Sequence, residues 1–111
     1  MLIYFRTKKL QKVCSEQRAM QMQLGQAMAR KLQQRMAELK AAEALSDISH
    51  LPPPRCHALS GDRVGQFSVD LDHPYRLLFI PADEPIPYRE DGGVDLERVA
   101  EIEIIAIVDT H

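Results

Sequence analysis

The fold turns on residues 66–80: Gln66-Phe67-Ser68-Val69-Asp70-Leu71-Asp72-His73-Pro74-Tyr75-Arg76-Leu77-Leu78-Phe79-Ile80. Phe67, Val69 and Leu71 alternate with Gln66, Ser68 and Asp70, the period of a half-buried strand. Asp72-His73-Pro74 is a turn signal, and residues 75–80 return as a second strand, so the stretch predicts a β-hairpin. Just upstream, Gly61-Asp62-Arg63-Val64-Gly65 joins the hairpin to a short strand expected around residues 56–59. Downstream, residues 81–98 carry Pro81, Pro85, Pro87, Gly92 and Gly93. So long an excursion is uncommon in a compact domain and is expected to be functional or mobile. Residues 101–109 hold Ile102, Ile104, Ile105, Ile107 and Val108, a near-continuous apolar run suited to a central strand covered on both faces.

The N-terminal half has a different period. Leu2 to Phe5 is a short β-prone run. Residues 7–48 contain one Gly and no Pro, among many Gln, Ala, Met, Lys, Arg and Leu, which are strong helix formers. Thr7 is expected to cap a first helix carrying Leu10 and Val13, with Ser15 as a second possible cap. Leu24, Met28, Leu32, Met36 and Leu39 share one face of a longer helix. Arg30, Lys31, Arg35 and Lys40 spread around its remaining circumference and read as a solvated outer face rather than an RNA-binding one. The methionines read as core filler. The helix should fade by Asp47, because Pro52-Pro53-Pro54 cannot continue it. The order β-α-α-β-β-β-β predicts an α+β fold, with two N-terminal helices packed on a mostly antiparallel sheet. A single domain over residues 1–111 is expected, with an acidic loop excursion at 81–98 and no internal repeat.

Composition removes several classes. A chain of 111 residues is one domain's worth. Its 45% hydrophobic and 27% charged residues suit a globular domain and argue against disorder. No apolar run approaches the ~20 residues of a membrane span. Met1-Leu2-Ile3-Tyr4-Phe5-Arg6 lacks the charge order and cleavage site of a signal peptide. Cys14 and Cys56 are therefore expected as free thiols in a reducing cytoplasmic setting. There is no CxxC, HExxH or glycine-rich phosphate loop, so no cofactor or metal is expected.

Polar residues that stand out are His57 in a short strand, Arg63 in the glycine-flanked connection, Arg76 in the hairpin, and Asp109 and His111 at the end of the sequence. Cleaving RNA without metal needs a base for the ribose 2′-hydroxyl, an acid for the leaving 5′-oxygen and cations for the phosphate. Histidine titrates near neutrality and suits both proton transfers. The planar fork of arginine suits the phosphate, and a carboxylate such as Asp109 orients or tunes a histidine. Plainer roles stand beside these. His57 fits a structural strand residue, Arg76 a chain lying over the sheet edge, and Asp109 and His111 a frayed end. His73 before Pro74 reads as a turn residue.

The run Arg55-Cys56-His57-Ala58-Leu59-Ser60-Gly61-Asp62-Arg63-Val64-Gly65-Gln66, then His73-Pro74-Tyr75-Arg76-Leu77-Leu78-Phe79, resembles HigB-type plasmid maintenance killer proteins of the RelE/ParE toxin superfamily. Ile107-Val108-Asp109-Thr110-His111 and Lys8-Lys9-Leu10-Gln11-Lys12-Val13-Cys14 extend the likeness over nearly the whole chain. The resemblance implies the toxin of a type II toxin–antitoxin pair: a ribosome-dependent, metal-independent endoribonuclease (an mRNA interferase) neutralised by a helix-turn-helix antitoxin protein. It implies His57 beside the scissile phosphate, Arg76 on that phosphate, and Asp109 and His111 as the terminal acid/base pair; Arg63 stands beside Arg76 as a second candidate for holding phosphate and contacting RNA. Which histidine is the base stays open. Thr110 stands where members often carry Tyr, and Ser60 where many carry Lys. Two other readings follow: a ParE-like toxin acting on DNA gyrase, and a catalytically weakened homologue that serves as an antitoxin-binding regulatory partner.

The net charge of −2 conceals a division. Residues 1–55 carry +6 and residues 56–111 carry −8, of which residues 81–103 supply −6. The protein is expected to be electrostatically two-faced, positive on helices and hairpin and negative on the excursion. An acidic loop folded over His57, Arg76 and His111 would repel phosphate and favour the weakened homologue.

Overall fold

The computed structural model describes residues 1–109. Strand β1 (Leu2–Phe5) leads into three helices, α1 (Lys8–Ser15), α2 (Gln17–Leu24) and α3 (Gln26–Ala41). Four strands follow: β2 (His57–Ala58), β3 (Phe67–Asp70), β4 (Tyr75–Pro81) and β5 (Glu101–Asp109). Together the strands form a five-stranded sheet in the order β1-β5-β4-β3-β2. β1 runs parallel to β5, and every other neighbouring pair is antiparallel. The fold is α+β, with the helices ahead of the main run of strands.

Where two helices were expected there are three, and both breaks have local causes. Thr7 caps α1, its Oγ1 accepting from the Leu10 N–H at 3.1 Å. Glu16 is extended and separates α1 from α2. Gly25, at φ 80° and ψ 167°, turns α2 into α3, in a region open essentially to glycine alone. α3 ends at Ala41, and a 3-10 turn over Leu45–Asp47 follows.

The expected helical stripe is the core stripe. Met28, Leu32, Met36 and Leu39 are buried against Phe67, Val69, Leu77, Phe79, Ile102 and Ile104 of the sheet, with Leu24 at the margin. Burial of each such side chain contributes about 1.5–3 kcal/mol, which fixes α3 on one face of the sheet. Phe67 and Phe79 stack with ring centroids 6.0 Å apart.

β5 is central, as its apolar content predicts, yet the doubled Ile104-Ile105 has another cause. Leu78 pairs with Ala106 and Phe79 with Ile104, so Ile105 is the extra residue of a β-bulge. The bulge restores the alternation, so Ile102, Ile104 and Ile107 all pack towards the helices.

The excursion is fastened down. Leu45 N–H donates to Val99 O and Ser46 N–H to Leu96 O, each at 3.0 Å. The Asp83 carboxylate accepts from the N–H groups of Ala100 and Glu101. Val99 is fully buried, and Tyr88 and Val94 form an isolated antiparallel bridge. The segment leaves the sheet after Pro81 and re-enters at Glu101, whereas Arg76 and Asp109 lie at the opposite ends of β4 and β5.

Candidate functional site

Strand alternation assigns the site residues to faces. Phe67, Val69 and Leu77 point to the helices. Ser68 and Asp70 of β3 therefore point to the far face, with their register partners Leu78 and Arg76 of β4. His57 of β2 pairs with Ser68 and shares that face. His57 and Asp70 are then diagonal neighbours across β2 and β3, about 7–8 Å apart at the backbone, and Arg76 is the next cross-strand neighbour. The register puts His57 and Arg76 on one face of the sheet, with β3 between them, although they are 19 positions apart in the sequence.

Asp70 is the hub. Arg55 binds its carboxylate in a fork, Nε donating to Oδ2 at 2.8 Å and Nη2 to Oδ1 at 3.1 Å. Arg76 Nε lies 3.6 Å from the same Oδ1. Arg35 reaches up from α3, its Nε donating to Asp70 O at 2.7 Å and its Nη2 to Pro53 O at 3.0 Å. Arg35 Nη1 also pairs with the Glu38 carboxylate. On the far face two guanidinium groups, those of Arg55 and Arg76, thus converge on the one Asp70 carboxylate, while Arg35 braces the same residue's main chain from the helical side. Hydrogen bonding to Asp70, then its charge, raises the Arg55 guanidinium above its ordinary value. A cleft of about 30 Å³ opens beside the hub, lined by Arg55, Asp70, His73, Tyr75 and Arg76 among others.

His57 is half-buried, with Nδ1 3.1 Å from Arg55 O. A carbonyl only accepts, so this contact assigns the proton to Nδ1 and, in the neutral ring, leaves the Nε2 lone pair unprotonated. Beside His57, the Ser68 hydroxyl is fully buried and has no hydrogen-bond partner among the described residues.

The other expected residues fall elsewhere. Asp109 closes β5 opposite Tyr75. It is at Arg76's end of the sheet, but on the alternate side of the pleat. His111 lies outside the described residues. Arg63 ends the 3-10 turn Gly61–Arg63 between β2 and β3. That turn precedes Phe67, whereas Asp70 and Arg76 flank the other end of β3, so Arg63 and Arg76 are not brought together.

Two arginines carry roles that sequence patterning did not assign. Arg35 was expected on a solvated face and is only 2% exposed. Its position three residues after Leu32 and four before Leu39 puts it inside the apolar stripe, which was a usable signal. Arg55 and Asp70 are 15 positions apart across a proline-rich connection, and no local pattern couples them.

Among the described residues, no helix is long and apolar enough to cross a membrane. No protein-family model matches the chain, and no curated protein matches it. Among solved structures, the chain is similar to a YoeB/ParE toxin from Agrobacterium tumefaciens, with a TM-score of 0.59, 11% sequence identity and 100% of each chain covered. At that identity the likeness establishes the fold, which is that of a solved toxin.

Proposed function

We propose that the protein is the toxin of a type II toxin–antitoxin pair and acts as a ribosome-dependent, metal-independent endoribonuclease on mRNA. The observation that carries this reading is the placement of His57. His57 stands on the sheet face that holds Arg76, and its contact with Arg55 O selects, in the neutral ring, the tautomer with the proton on Nδ1. In this mechanism His57 Nε2 takes the proton of the ribose 2′-hydroxyl. The 2′-oxygen then attacks phosphorus, the bond to the 5′-oxygen breaks, and a 2′,3′-cyclic phosphate forms. His111 gives its proton to the departing 5′-oxygen, with Asp109 orienting it. Arg76 stabilises the charge that builds on the phosphate, and Arg63, at the other end of β3, contacts RNA away from the scissile bond.

The acidic excursion supports catalysis over the weakened-partner reading, because it attaches at the end of β4 remote from Arg76. Pro81 lies five positions along the strand from Arg76, about 16 Å of rise. Phosphate approaching Arg76 arrives at the end of β4 away from where that segment attaches.

The test is expression in growing cells. Wild type should arrest growth and deplete transcripts, and His57→Ala/His111→Ala should do neither while keeping its fold by circular dichroism. A fully toxic double variant rejects these residues as the site. A DNA-damage response without transcript loss points instead to gyrase. Loss of toxicity on co-expression of a helix-turn-helix protein encoded beside this gene tests the partnership.

A further inference from the structure

We infer that Arg55 is a second phosphate-binding arginine of this site and that Asp70 is its positioning residue. The inference rests on the RNA-cleavage reading and extends it to a residue assigned above only to the Asp70 hub. A guanidinium has two edges that each present a pair of parallel N–H bonds. Arg55 spends one edge, Nε and Nη2, on the Asp70 carboxylate. The other edge, formed by Nη1 and the second Nη2 proton, makes no hydrogen bond among the described residues, and the side chain is 41% exposed. An arginine gripped along one edge has lost most of its rotamer freedom before a ligand arrives. Its second edge matches the two non-bridging oxygens of a phosphodiester.

The surroundings point the same way. The main-chain oxygen of Arg55 is the group that holds His57 Nδ1, so one residue fixes the histidine through its backbone and presents donors through its side chain. Asp70 also touches Arg76, which places two guanidinium groups around one carboxylate on the face that carries His57. Arg55 adopts φ +48°, a left-handed conformation that glycine takes without strain. Such strain at a large side chain persists where neighbours over-determine it and clusters at functional sites. Here Arg35 ties down the segment just before Arg55, through Pro53 O, and the strand facing it, through Asp70 O.

Two measurements on the full chain test the assignment. The first is guanidinium-resolved NMR during titration with a short RNA carrying a 2′-deoxy substitution at the scissile nucleotide, which binds without reacting. The Arg55 Nη resonances should shift in wild type and in His57→Ala. Shifts at His57 and Arg76 with none at Arg55 overturn the inference and leave the RNA reading intact; no shift at any of the three overturns the inference for free RNA, and loss of all cleavage on programmed ribosomes then overturns the reading itself. The second is single-turnover cleavage on programmed ribosomes with a phosphorothioate at the scissile position. Arg55→Ala should slow cleavage of the ordinary phosphate by about 100-fold or more and should erase most of the sulfur penalty. Arg55→Lys, which keeps charge but loses the fork, should recover little. An unchanged sulfur penalty in a slowed Arg55→Ala variant marks a structural role and rejects the proposal. Most of the Asp70→Ala loss should vanish in the Arg55→Ala background, because a positioning residue acts through the group it positions; fully additive losses reject that role for Asp70.

Discussion

Replacing Arg35 with methionine tests how the helical layer holds the candidate site. Methionine keeps the length and apolar body of the chain but donates no hydrogen bond. Two main-chain oxygens then lose their charged donors: Asp70 O, now at 2.7 Å from Nε, and Pro53 O, at 3.0 Å from Nη2. Leaving a buried acceptor unsatisfied costs about 1–3 kcal/mol, so the pair sets a range of about 2–6 kcal/mol. Part of this is offset, since a guanidinium only 2% exposed no longer bears a desolvation cost. The Glu38 carboxylate is a third exposed and rehydrates. The expected net loss is about 2–4 kcal/mol, equivalent to roughly 8–20 °C in Tm for a domain of this size. Urea unfolding by circular dichroism gives the value directly if the slope is unchanged. Glu38→Gln is the control and should cost less than about 1 kcal/mol. An Arg35→Met variant within about 0.5 kcal/mol of wild type, below the usual cost of even one lost buried bond, would refute the claim that Arg35 ties α3 to the connection and to β3.

Gly25→Ala should destabilise by about 1–3 kcal/mol through backbone strain alone, because an added Cβ meets nothing within 4 Å; an unchanged unfolding midpoint would mean that the α2–α3 turn re-forms another way. Phe79→Ala removes a fully buried ring stacked on Phe67 and should cost about 3–5 kcal/mol, read from the same urea titration. Burial pushes the Cys14 and Cys56 thiols up from 9.0 to about 11. The unfolded chain gives up these protons first, so their stabilising contribution is complete below about pH 9 and is lost as pH rises towards 11. The loss reaches about 2–3 kcal/mol per thiol. The difference in stability between wild type and Cys14→Ala should therefore shift across that window, and a constant difference from pH 8 to 11 would contradict it.

The elements were legible in the sequence because local chemistry decides them. The alternation of Phe67, Val69 and Leu71 gave the hairpin, and the Met28-Leu32-Met36-Leu39 stripe gave the face of α3 that packs on it. The third helix was hidden because a single residue, Gly25, makes the break, and a lone glycine in a helical pattern is usually tolerated. The bulge at Ile105 was hidden because β5's register depends on β4, and a doubled isoleucine reads equally well as two-sided burial. At the site, His57 and Arg76 share a face only through pairing across three strands. The Arg55–Asp70 fork joins residues with no periodic relation, and Arg35 looked solvated because charge outweighed its position in the stripe.

The strand order bears on how the chain can fold. β1 pairs with β5, Leu2 opposite Glu101, so among the described residues the earliest strand finds its sheet neighbour in the latest one. β5 also lies between β1 and β4, and without it the sheet is two unconnected pieces. During synthesis, residues 2–81 are made before the strand that unites them exists, and closure waits for residues 101–109. Pairing over so long a sequence separation slows folding. A nascent chain of this protein therefore completes its sheet, and the surface built on it, only after translation of β5 has ended.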